Sequence, residues 1–137
     1  MAATKFHEKK NFRMGEEILY KDLSYEIVNA AIPVWKNLGC GFLGKVYENA
    51  LMIELHKRNL HCEQQKPIKV HYEQYVIGEY VAGILVEGKI LLELIAAKAI
   101  DDAHIAQIIN YLKATHLRLE MILNFGPEKM EFKRIAH

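Results

Sequence analysis

A chain of 137 residues, 51% of them hydrophobic, has the size of one domain and enough apolar surface to bury a core. Its net charge of +1 and pI near 7.8 give no whole-protein attraction to nucleic acid, so binding of that kind needs a local basic patch. No apolar run reaches the ~20 residues of a bilayer span, the N-terminus has no apolar signal segment, and Cys40 and Cys62 lack metal-ligand spacing. The expectation is a cytoplasmic protein with free thiols.

Residues 1–15 begin MAATKFHEKKNFR, which is polar, basic and aperiodic, and read as a flexible leader with Met14 as a second candidate start. Residues 16–137 form the single domain. A first helix is predicted over Ser24–Leu38, with Ser24 as N-cap, one face at Ile27, Ala30, Ala31, Val34 and Leu38, and a kink at Pro33. Gly39-Cys40-Gly41 ends it. A second helix over Leu43–Asn59 carries an apolar stripe of Leu43, Val46, Tyr47, Ala50, Leu51 and Leu55. Strands follow at Ile68–Tyr72 and Tyr75–Glu87, turning near Glu73-Gln74, and Gly88 makes a tight hairpin into Lys89–Ala96. Asp101-Asp102 caps a helix that buries Ile105, Ile108, Ile109 and Leu112. Strands at Leu117–Asn124 and Met130–Ile135, parted by Gly126-Pro127, complete the order ααβββαββ, an α/β (α+β) arrangement.

Alternation along the third strand puts Leu91, Glu93 and Ile95 on one face. A carboxylate there costs several kcal/mol if buried without a partner or a metal. Glu93 is therefore an edge residue, a partner of Lys89 or Lys98, or part of a site. On the following helix His104, Gln107 and Tyr111 form a polar ridge, with Asn110 beside them, of the kind that usually faces solvent.

The segments GFLGKVYENAL, GEYVAGILVEGKILLELIAA and HIAQIINYLKAT, with NFG and EFKRI near the end, resemble the GxxExxY family of the PD-(D/E)XK nuclease superfamily. The likeness runs from Glu16 to Ile135. It implies a mixed central sheet flanked by helices, and a site built from a helix glutamate, a strand aspartate and the E-x-K of the next strand. In such a site carboxylates hold Mg²⁺, which polarises phosphate and activates water, and the lysine supports the nucleophile or the developing charge. This chain departs from that pattern. Gly44 stands where the helix glutamate is expected, Gly83 where the aspartate is, and Ile95 where the lysine is. Glu93, Gln107 and Tyr111 remain as the catalytic remnant. Glu48, about 40° around the helix from Gly44, joins Glu93 as a candidate metal ligand. No cofactor is expected beyond Mg²⁺ in the case of residual activity.

Three functions follow from these residues. One is a non-catalytic nuclease-fold protein that acts by binding DNA, another protein or itself as a homo-oligomer, with Tyr80, Val81, Ile84, Ile95 and Trp35 as candidate apolar surface. The alternative is a Mg²⁺-dependent DNA endonuclease or exonuclease with relocated ligands, in which Lys45, Lys89 or Lys98 replaces the missing lysine. The third is simple nucleic-acid binding on a basic edge made by Lys5, Lys9, Lys10 and Arg13 with Lys129, Lys133 and Arg134. No membrane partner is expected.

Overall fold

A computed structural model describes residues 18–136, so the predicted leader lies outside the described residues. The element order is α1 (Lys21–Leu38), α2 (Gly44–Lys57), β1 (Cys62–Tyr72), β2 (Tyr75–Val86), β3 (Ile90–Ile95), α3 (Asp102–Thr115), β4 (Leu119–Phe125) and β5 (Met130–Ala136). This is the predicted ααβββαββ.

Helix α1 starts one turn earlier than the capping signal at Ser24 suggests. Tyr20, in the left-handed region at φ 52°, bounds the helix, and Ser24 is buried inside it. Leu19, Tyr20 and Leu23 pack against the core, and that packing outweighs the local cap preference. Pro33 sits within the helix and has no amide to offer the carbonyl of Asn29, four residues back. Arg58, which follows α2, supplies the missing donor: its Nη2 reaches the Asn29 carbonyl at 3.1 Å.

Helix α2 buries Tyr47, Glu48, Leu51 and Leu55. The predicted stripe was too wide, because Leu43 is the N-cap residue, 81% exposed, and Val46 also faces outward. Tyr47 stacks on Phe125 with ring centres 4.4 Å apart, and its hydroxyl donates to the Gly39 carbonyl at 2.7 Å. The loop before α2 is thereby tied to the core.

The five strands form one mixed sheet in the order β1-β2-β3-β4-β5, antiparallel except for β3 beside β4. The parallel pair needs the crossover that α3 provides. Ile84, Val86, Ile90, Leu92, Leu119, Met121 and Leu123 belong to the core beneath α1 and α2. Ile122 and Ile135 pack with Ile105, Ile108 and Leu112 of α3 on the opposite face. Glu87 and Gly88, at φ 53° and 65°, close the β2–β3 hairpin with Lys89 donating to the Val86 carbonyl, the twist that a two-residue turn requires.

Strand β1 is longer than predicted, since its first half, CEQQKP, is polar and contains Pro67. An edge strand tolerates both features. β1 pairs with β2 along nearly its whole length, whereas β3 pairs with β2 only at Ile84, Leu85 and Val86. Beyond that point the hairpin continues as a two-stranded ribbon whose tip exposes Tyr72, Tyr75, Val76 and Ile77.

Both cysteines are free, and burial raises the Cys62 thiol to about 11. Among the described residues no helix is long and apolar enough to cross a membrane.

Candidate functional site

The site lies where β2 and β3 part. Glu93 sits on β3, the central strand, so it is not an edge residue. Among the described residues it has no lysine partner: Lys89 lies 6.0 Å from the Tyr20 ring centre, and Lys98 lines a separate cavity with Pro127, Glu128 and Lys129. Instead the backbone N–H of Gly83 donates to the Glu93 carboxylate, while Glu93 Oε1 has no hydrogen-bond partner. Burial first, and the nearby Glu48 second, push Glu93 up to about 7, against the lowering effect of that backbone hydrogen bond.

Glu48 comes in from α2 despite its angular offset from Gly44. It is buried, its Oε1 accepts from Gln65 Nε2 at 2.6 Å, and Lys45 Nζ stands 3.9 Å from the same oxygen. Gln65 can reach it because its backbone is left-handed at φ 57°, a kink in β1 between its pairs at Gln64 and Lys66. Lys45 is thus the one lysine of the three candidates that adjoins the carboxylates. Gly44 also borders the site, since a Cβ there would stand 3.4 Å from the Leu94 carbonyl.

Gly83 is sterically committed. A Cβ built on it would be 2.7 Å from the Leu92 carbonyl and 3.5 Å from Glu48 Oε2. A side chain at this position therefore requires the backbone of β3 to move. Ile95 is equally absorbed into the structure, packing against the apolar cluster under α3.

The helix residues behave differently from the strand residues. Gln107 is exposed, as are His104 and Asn110. Tyr111 is half-buried and stacks on Tyr80 of the ribbon, with ring centres 4.0 Å apart and planes within 11°. Tyr111 therefore braces α3 against β2.

One carboxylate escaped the sequence reading. Glu120 on β4 pairs with Leu91 across the parallel ladder, is 1% exposed, and has both carboxylate oxygens without a hydrogen-bond partner. Burial, then the charge of Glu93, raises it to about 9. The signal was present: a single charge inside LEMILNF is the same anomaly as Glu93 inside ILLELI.

The closing NFG segment is structural. Asn124 Oδ1 accepts from the Ala97 amide at 2.9 Å, and its Nδ2 donates to the Ala97 carbonyl and to Glu131 Oε1 at 3.0 and 2.9 Å. Trp35 Nε1 donates to the Gly126 carbonyl at 2.8 Å. The Asn124–Ala97 bonds fix the loop that leaves β3, and the Trp35 bond ties the β4–β5 turn to α1.

Residues 21–135 match the family model of the PD-(D/E)XK nuclease superfamily. This chain belongs to that superfamily. No curated protein matches it. Members of the superfamily usually use Mg²⁺, and the donors present here fit such an ion poorly. Gly83 offers no side-chain oxygen ligand, and one oxygen of Glu48 is already engaged by Gln65. Among the described residues no group of three or more His, Cys, Asp or Glu side chains is arranged to hold a metal ion.

The candidate binding surfaces also need correction. Ile84 is fully buried, and Trp35, Tyr80 and Ile95 are partly buried in packed contacts, which leaves Val81 as the exposed member of the predicted apolar set. Arg134 is buried, with Nη2 donating to the Leu19 carbonyl, so it cannot serve a basic edge. The leader residues of that edge lie outside the described residues.

Proposed function

We propose that this chain is a GxxExxY-type member of the superfamily that acts by association, with a second copy of itself as the partner, and not by phosphodiester cleavage. The observation that carries this reading is Ile95: the position two residues after Glu93, where resemblance expects the lysine, is part of the apolar packing under α3. Ile95 is partly buried there, so a lysine at this position would give up apolar contact to carry its charge out to solvent. The association half of the proposal rests on the ribbon tip, where Tyr72 and Ile77 are 65% and 64% exposed beside Tyr75 and Val76. Apolar side chains gathered at a projecting tip are typical of interaction surfaces.

Light scattering of the purified chain, paired with a cleavage assay on plasmid and single-stranded DNA in Mg²⁺ or Mn²⁺, tests both halves. A defined oligomer without cleavage is the expected result. A monomer at all concentrations removes the association half, and metal-dependent cleavage abolished by Glu93→Ala removes the other.

The approach of Glu48 to Gly83 favours a second reading, a nuclease with relocated ligands. In that reading Glu48 and Glu93 would be the metal ligands and Lys45 the replacement cation. Cleavage lost equally in Glu48→Gln and Glu93→Gln would support it.

A further inference from the structure

Strand β1 is a sheet edge: among the described residues it has β2 on one side and no strand on the other. Its two halves differ. Up to Pro67 it is guarded by the left-handed Gln65, by Lys66 and by the proline itself, features that discourage pairing between edges. From Ile68 to Tyr72 the one remaining charge guard is Lys69, which stands across from Glu79.

The register decides where the backbone groups of this second half point. Tyr72 and Tyr75 close a two-residue turn, and Pro67 has no amide to give β2. Both facts assign the ladder with β2 to Ile68, Val70 and Tyr72, so the N–H and C=O groups of Lys69 and His71 point away from the sheet. Alternation puts the Ile68, Val70 and Tyr72 side chains on the α3 face, where Ile68 clusters with Leu91 and Ala114. An open cavity of about 320 Å³ runs beside the edge on that face, floored by Ile68, Leu91 and Leu117.

This half of β1 is complementary to itself. About a two-fold axis at Val70, a second β1 lies antiparallel, and Lys69 and His71 exchange backbone hydrogen bonds with the partner's His71 and the partner's Lys69. On the α3 face Val70 meets the partner's Val70, and Ile68 meets the partner's Tyr72. An apolar row then crosses four strands: Tyr80, Ile68, the partner's Tyr72 and the partner's Tyr75. Moving the axis to Lys69 would instead set the two Lys69 side chains opposite each other. The exposed apolar side chains of the ribbon tip fall short of the roughly 20–30 residues a side of a stable interface, and this edge with its cavity is the surface continuous with them.

We infer that two copies join edge to edge through β1, antiparallel about Val70, so that their sheets become one and Tyr72 of each copy occupies the cavity of the other. This rests on the self-association proposed above and supplies its geometry.

Disulfide trapping in the full chain, with Cys40 and Cys62 replaced by serine, tests it. At the axis the Val70 Cα atoms stand about 4.5 Å apart, within disulfide reach. Val70→Cys should oxidise to a covalent dimer, whereas Val81→Cys, exposed on the opposite face of β2, should not. Lys69→Pro removes an outward amide and should lower the light-scattering mass to the monomer, while Lys69→Ala keeps the amide and should leave the mass unchanged. In the unaltered chain, which covers the case of a variant that fails to fold, the Lys69 and His71 amides should be protected from exchange at high concentration and released on dilution. An oligomer in which Val70→Cys is not trapped, or in which those amides exchange freely, overturns this geometry and leaves self-association to another surface. Equal trapping of Val70→Cys and Val81→Cys overturns it as well, because collision alone then suffices. A monomer at all concentrations removes self-association itself and this pairing with it. A monomer whose edge amides gain protection only with an added extended peptide of unrelated sequence makes β1 a site for a foreign strand, which also overturns the two-fold pairing.

Discussion

Glu120 lies buried near Glu93 with neither of its carboxylate oxygens hydrogen-bonded, and the charge of Glu93 raises the cost of ionising Glu120. Glu93 is held up at about 7 and Glu120 at about 9, chiefly by burial. Both values lie above those of the unfolded chain, so at intermediate pH the folded state binds more protons than the unfolded state. Stability from these groups is present in mild acid and is lost as pH rises, with the loss running from the unfolded carboxylate range up to about 9. A tenfold difference in proton affinity between the two states corresponds to about 1.4 kcal/mol. Urea unfolding followed across this range should show a falling midpoint. Glu120→Gln, which cannot ionise, should flatten the slope and raise stability on the alkaline side. An unchanged slope would show that Glu120 is not the group responsible.

Restoring aspartate at Gly83 should not restore a nuclease. The side chain would begin 2.7 Å from the Leu92 carbonyl and would add a carboxylate next to Glu48 and Glu93. Gly83→Asp is expected to cost about 1–3 kcal/mol, in the range of overpacked positions. Thermal melting measures the cost, and a stable variant that cleaves DNA would contradict the steric reading.

Removing Arg58 exposes the gap left by Pro33. Arg58→Ala should cost about 0.5–1.5 kcal/mol through loss of the bond to the Asn29 carbonyl. With Pro33→Ala supplying a backbone amide, the same Arg58→Ala change should cost less. Denaturant unfolding of the two single variants and the double variant reads this coupling, and strict additivity would argue against it.

At the ribbon tip, Ile77→Ser combined with Tyr75→Ser should leave the melting temperature nearly unchanged, because both side chains are exposed. Particle mass in light scattering should fall toward the monomer. Wild-type mass in this double variant would assign association to another surface.

The sheet and its helices were readable from periodicity because the buried strands are apolar runs and α3 keeps a strict isoleucine face at Ile105 and Ile108. The first half of β1 was unreadable for the opposite reason. As an edge strand it buries little, so polar Glu63, Gln64 and Gln65 and a proline carry no alternation. The helix rows misled at Leu43 and Val46, where apolar character marks no burial. At the site, Glu93 was legible as a charge among aliphatics, and the equivalent signal at Glu120 was available. The partnership of Glu48 with Gln65 was not, since it depends on a left-handed residue in β1 that no local pattern announces.

Strand β2 belongs to two assemblies at once. From Ile84 to Val86 it is locked between neighbours, and toward Tyr75 it has only β1 beside it. A lone two-stranded hairpin is marginal in water. The Tyr80–Tyr111 stack is therefore a latch, clipping a separable arm to the body of the fold. With the latch released, amides of the arm would exchange while those of β3 and β4 stay protected, and two molecules could trade arms without either core unfolding.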